Sequence, residues 1–164
     1  MKKICIYGLG AIGGLIAGKL SKAGYTVSAI ARGNTLSVVS QQGIEIHENN
    51  TEEIYRINVT DDPQSLGIQD LVIISVKTSA LTEITKNLKH IIGKNTIVLS
   101  AMNGVPWWFL EGNQKISDQL NIDRLDPDAK IKDSIPSENI IGCVTHLSAS
   151  TPQPGIVRKM QATN

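Results

Sequence analysis

Residues 3–13 read KICIYGLGAIG. The first five, KICIY, form a short apolar run rich in β-formers and bounded by glycine, which predicts a buried strand. Past the glycines, Ile12, Leu15, Ile16, Leu20 and Ala23 recur at helical spacing. They predict a helix from about 11 to 23 that stops at Gly24. TVSAIA (26–31) supplies the next strand. Strand, helix and strand within about 30 residues make a βαβ unit, and such crossovers require parallel strands.

The glycines between strand and helix have separate mechanical tasks. Gly8-Leu9-Gly10-Ala11-Ile12-Gly13 follows a strand and opens a helix, the context in which G-x-G-x-x-G is a dinucleotide-binding fingerprint. Gly8 permits the tight turn. Gly10 presents no Cβ to an approaching pyrophosphate, and Gly13 lets the helix pack closely on the sheet. Free N–H groups at the helix start attract phosphate. The candidate phosphate loop is therefore residues 8–13, with Leu9, Ala11 and Ile12 included.

The end of the second strand selects the dinucleotide. An Asp or Glu about 20 residues past the fingerprint would bind the ribose 2′-hydroxyl of NAD. Here Arg32 stands there, in AIARGN. A guanidinium binds a 2′-phosphate through charge-assisted hydrogen bonds, so the expected cofactor is NADP(H). A solvated surface arginine is the plainer alternative. For Lys77, at the end of VIISVK, two readings stay open: a phosphate-neutralising lysine at the carboxyl edge of the sheet, or the first polar residue past a buried strand.

The alternation continues outward. DLVIISV (70–76) and TIVLSA (96–101) read as strands covered on both faces, with a helix between them marked by Leu81, Ile84, Leu88, Ile91 and Ile92. The fold class is α/β, a doubly wound and mainly parallel sheet with helices on both faces, of Rossmann type. Residues 43–60 predict short strands or a hairpin at one side of that sheet. Residues 111–138 read as loop with weak helical turns, NIIGCVTHL (139–147) as a strand, and IVRKM (156–160) as a partner pairing back on it.

Bulk properties exclude several classes. A chain of 164 residues with 41% hydrophobic and 19% charged residues fits one globular domain. A formal charge of +1 leaves no footprint for nucleic acid or an anionic membrane. MKK before an apolar stretch imitates a secretory signal, but its glycine spacing and the lack of an Ala-x-Ala-like cleavage site read against one. No run reaches the ~18 apolar residues of a membrane span. Cys5 and Cys143 lie in strand-like runs and read as buried reduced thiols, which favours the cytoplasm.

Few other residues carry chemistry. His146 reads as a strand histidine, His47 and His90 lack metal-ligand spacing, and no Cys/His cluster supports zinc, so no metal is expected. Asp61-Asp62-Pro63 reads as a turn. The chain has only six aromatic residues, yet Trp107, Trp108 and Phe109 stand together behind Met102-Asn103-Gly104 and Pro106.

GLGAIG, the basic AR after the second strand, VKT (76–78), MNG (102–104) with PWWF behind it, and GCVTHL (142–147) occur in the order and spacing of the ketopantoate reductase family. The chain resembles the N-terminal, cofactor-binding half of that family along its whole length. The resemblance implies that Arg32 binds the 2′-phosphate of NADP(H) and that Lys77 lies over the adenosine-phosphate end. Asn103 would sit beside the nicotinamide and reach toward substrate, a simple Asn-Gly turn being the alternative. The implied reaction is NADPH-dependent reduction of a 2-oxo acid, 2-dehydropantoate above all. On this reading residues 1–164 form one NADP-binding domain. The helical C-terminal domain that carries the catalytic acid lies outside them, which leaves the 164 residues inactive alone. Trp107 and Trp108 are expected to be packing residues facing that domain, exposed without it and available for homodimer contact. The competing reading is a non-catalytic nucleotide-sensing module.

Overall fold

Apolar strands that must be covered on both faces organise the chain. The computed structural model describes residues 2–104, 106–110 and 126–160. In chain order these form β1 (Ile4–Tyr7), α1 (Ala11–Lys22), β2 (Val27–Ile30), α2 (Gly33–Gln42), β3 (Ile44–Glu48), β4 (Thr51–Tyr55) and β5 (Asn58–Thr60). There follow β6 (Leu71–Ile74), α3 (Leu81–Leu88), β7 (Ile97–Ser100), α4 (Lys130–Ser134), β8 (Ile140–Gly142), β9 (Ala149–Gln153) and β10 (Ile156–Lys159). Among the described residues no helix is long and apolar enough to cross a membrane.

The main sheet has the order β5-β2-β1-β6-β7-β8 with every pair parallel. This is the 3-2-1-4-5-6 arrangement of doubly wound dinucleotide folds. Side chains of β1 alternate between two cores. Ile4 and Ile6 join the core under α1 and α2, while Cys5 and Tyr7 join the core under α3 and α4. The expected Rossmann-type sheet with helices on both faces is therefore present. Cys5 is fully buried, and burial pushes its thiol up to about 12.

A second sheet was not expected. Its order is β4-β3-β10-β9, with β3 and β4 an antiparallel hairpin and β10 parallel to β3. It covers the outer face of α1, so that helix lies between two sheets. A Cβ at Gly14 would meet Val157 of β10 at 2.7 Å, and one at Gly18 would run into Ile46 of β3. These two glycines belong to the second interface, beyond the fingerprint.

Three expectations change here. The hairpin in 43–60 exists but belongs to the second sheet, and only β5 edges the main one. IVRKM does not pair with 139–147; β10 pairs with β3 and β9. The strand in 139–147 is only β8, because β7 already ends at Ser100, opposite Gly142. Cys143 is consequently half-buried rather than buried, and His146 is exposed and outside any strand.

Candidate cofactor site

β1 and β6 are neighbours, yet the chain leaves β1 toward α1 on one face and β6 toward α3 on the other. Ligands of open α/β sheets bind in the crevice that such a reversal opens at the carboxyl ends. A cleft of about 340 Å³ lies there. Tyr7 and the loop Gly8–Gly10 border it, Arg32 and Thr35 line one side, and Glu83 and Asn87 line the side facing them.

The glycine loop is held from below. Gly8 has φ +99°, a conformation that disfavours other residues, and its N–H donates to the Ile30 carbonyl at 3.0 Å. The Ser75 hydroxyl donates to the Gly8 carbonyl at 2.8 Å, with the Tyr7 carbonyl at 3.3 Å. A Cβ on Gly13 would run into the Gly8 carbonyl and the Ser75 hydroxyl, so that glycine is required by packing.

Gly10 differs. A Cβ there would meet nothing within 4 Å, so no described protein atom demands the glycine. Gly10 caps α1 without a side-chain hydrogen bond, and no acidic residue occupies the first turn. Open space therefore lies beside the start of α1, and helix starts bind phosphate elsewhere through their free amides.

Arg32 caps α2 at the end of β2 and reaches across the cleft. Its Nη1 donates to Glu83 Oε1 at 2.6 Å, joining α2 to the first turn of α3. This hydrogen bond, with the added attraction of the opposite charge, holds the Glu83 carboxyl below the usual carboxylate range and raises Arg32 further. Both side chains remain more than half exposed, at 66% and 57%, so the pair itself adds little to stability. Asp61, past β5, and Lys86 line the same cleft.

The remaining candidates do not all converge. Lys77 is exposed and caps the short 3₁₀ turn Thr78–Ala80, and it is not among the residues lining the cleft. Asn103 is exposed on a separate small hollow with Thr78, Ser100 and Trp107. The fingerprint residues Ala11, Ile12 and Gly13 lie in α1 behind the loop.

Trp107 and Trp108 are packing residues, as expected, but they are not exposed. Trp107 is only 6% exposed and belongs to the core under α3, and half-buried Trp108 packs on Gly142. Among the described residues the two indoles form no exposed patch, because α4 and β8 pack on them. Their indole N–H groups are buried without partners among the described residues.

On the β3–β4 hairpin, His47 lies 2.5 Å from Glu45 and 3.7 Å from Glu52. Linear spacing concealed this, since Glu52 arrives across the hairpin. Nothing beyond these mutual contacts points to a metal. Ser75 and Glu83 were missed by sequence reasoning. A polar residue closing the apolar run 71–74 was the available signal for Ser75, but none existed for Glu83.

An open parallel sheet with a glycine loop at its switch point defines a dinucleotide-binding α/β domain. Residues 4–164 match the family described as ketopantoate reductase PanE/ApbA, and the chain belongs to that family of pyridine-nucleotide-dependent oxidoreductases. The 2-dehydropantoate 2-reductase of Mesorhizobium japonicum is 32% identical over 160 residues, covering 97% of this chain and 49% of that protein. A crystal structure of a candidate ketopantoate reductase from Ralstonia solanacearum is 35% identical, with TM-score 0.90 over 98% of this chain and 50% of that one. A D-mandelate dehydrogenase solved with NADH and anilino(oxo)acetate shares the fold at TM-score 0.76 and 23% identity, covering 97% of this chain and 46% of its own. The chain thus spans about half the length of the relatives it matches.

Proposed function

We propose that this chain is the cofactor-binding domain of an NADPH-dependent 2-oxo acid reductase, converting 2-dehydropantoate to pantoate in pantothenate biosynthesis. One observation carries the reading: a glycine that no contact with the described residues requires, Gly10, borders the same cleft as the Arg32 guanidinium. The residues fit the cofactor. The amides at the start of α1 would hold the pyrophosphate, and Arg32 with the first turn of α2 would take the 2′-phosphate. Lys77 would serve the adenosine-phosphate end. Asn103, on its neighbouring hollow, would orient the nicotinamide and the substrate carbonyl by side-chain amide hydrogen bonds.

When bound, NADPH supplies the hydride that reduces the carbonyl carbon. The oxygen then needs a positioned proton donor, which contributes about 10²–10⁴-fold to such reactions. The reading assigns that donor to a helical domain outside residues 1–164. The 164 residues should therefore bind NADPH yet oxidise it negligibly with 2-dehydropantoate. A cytoplasmic location accompanies this reading.

The test is direct titration with NADPH and NADH. A hydrogen bond to a charged group contributes roughly 1.5–3 kcal/mol, or about 10- to 150-fold in affinity. Arg32→Ala should lose that factor for NADPH and little for NADH. An unchanged NADPH affinity in Arg32→Ala would refute the assignment.

A further inference from the structure

Arg32 already has a partner. Its Nη1 lies 2.6 Å from Glu83, a residue 51 positions away on the facing side of the cleft. The other exposed pairs Lys22–Glu53 and Lys130–Asp128 lie away from this cleft. The cleft also holds Asp61 and Lys86, so its formally charged side chains balance.

We infer that Glu83 sets how strongly this site prefers a 2′-phosphorylated nucleotide, by competing for Arg32 and by accepting a hydrogen bond from an unphosphorylated ribose. The inference rests on the proposed function, since it takes the cleft to be the adenosine end of the cofactor site. A 2′-phosphate carries about −1.5 to −2 charges near pH 7. It must either displace Glu83 from Arg32 or share the guanidinium with it. A guanidinium has five N–H donors, so sharing is geometrically open, but it sets carboxylate and phosphate side by side. Either course penalises the phosphorylated ligand alone.

A free 2′-hydroxyl meets the opposite situation. It can donate to a carboxylate, and an acidic side chain at this end of the cleft is how NAD sites recognise ribose. The usual acid stands at the end of the second strand, where this chain has Arg32. Here the carboxylate comes from α3 instead. The first-turn position of Glu83 in α3 favours its ionised form, because the helix N-terminus is electropositive.

The experiment measures binding of adenosine 2′,5′-bisphosphate and of 5′-AMP to the 164-residue chain, its Glu83→Gln and Arg32→Ala variants, and the double variant. Glu83→Gln should tighten the bisphosphate about three- to tenfold, in line with the loss of one exposed ion pair and one like charge. Binding of 5′-AMP should weaken about two- to fivefold as the carboxylate acceptor for its ribose is lost. Unchanged 5′-AMP binding overturns that half of the inference. A thermal melt like that of the unmutated chain reports that the variant is folded. The Glu83→Gln gain should shrink in the Arg32→Ala background, where no pair exists to release. A bisphosphate-to-AMP ratio unmoved by Glu83→Gln but lowered by Arg32→Ala overturns this inference and leaves the cofactor assignment standing. A ratio unmoved by Arg32→Ala overturns the assignment itself, as does failure of both probes to bind the unmutated chain.

Discussion

Gly10 and Gly13 stand three positions apart in unlike surroundings. Gly13 faces the Gly8 carbonyl and Ser75, whereas Gly10 faces nothing within 4 Å. Alanine should separate the two. Gly13→Ala overpacks the loop and should cost about 1–3 kcal/mol of stability. Gly10→Ala keeps an allowed backbone, φ −77°, and should change stability by less than about 1 kcal/mol. Its added methyl should nevertheless weaken NADPH binding about tenfold or more, a loss comparable to one charge-assisted hydrogen bond. Thermal melts beside cofactor titrations decide this, and equal thermal losses for both variants would contradict it. Fingerprint glycines and Arg32 were legible because each is defined by its distance along the chain from one strand. Ser75 and Glu83 were not, since their partners arrive through tertiary folding, 67 and 51 positions away.

At the scale of elements, α1 is the helix whose sequence was readable and whose surroundings were not. Its inward face follows from the βαβ pattern, but its outward glycines have meaning only against the second sheet. That sheet joins residues 44–55 to residues 149–159, and no local periodicity announces such a pairing. IVRKM shows strand composition without showing its partner. α2, with only Val39 buried, carries too thin an apolar stripe to be read as a helix from spacing. The strands β1, β2, β6 and β7 were legible because burial on both faces leaves continuous apolar runs. The contact between α1 and the second sheet is open to test at Gly18, where a Cβ would meet Ile46 and would stand 3.0 Å from the Tyr55 ring. Gly18→Val should destabilise by about 1–3 kcal/mol, lowering Tm by roughly 2–4 °C per kcal/mol. A Tm equal to that of the unmutated chain would mean that the second sheet does not press on α1.

For the whole molecule, one carboxylate ties the layers together. Glu48 at the end of β3 accepts from Lys159 of β10 at 2.5 Å and from Lys19 of α1. Hydrogen bonds from Lys159 and then Lys19 hold its carboxyl down to about 2. A group whose folded pKa lies below its unfolded value, roughly 4.3 for Glu, stabilises the fold above that unfolded value. The contribution is lost as pH falls through about 2. Thermal melts from pH 7 downward should show the Glu48 contribution to Tm being lost between these two values. Glu48→Gln should begin lower at neutral pH and fall less across the same window. Parallel curves for the two proteins would show that the tie contributes nothing to acid sensitivity.

Because β3 pairs with β10, the outer cover of the helix that starts at Gly10 depends on a strand made much later. At synthesis rates of about 5–20 residues per second, the glycine helix emerges roughly 7–27 s before its outer layer can close. The nascent chain can fold the β1–α1–β2 unit early, since its contacts are local. The layer that braces α1 from outside waits for residues 156–159. Bracing of α1 from its outer side is therefore a late event of biogenesis, timed by translation.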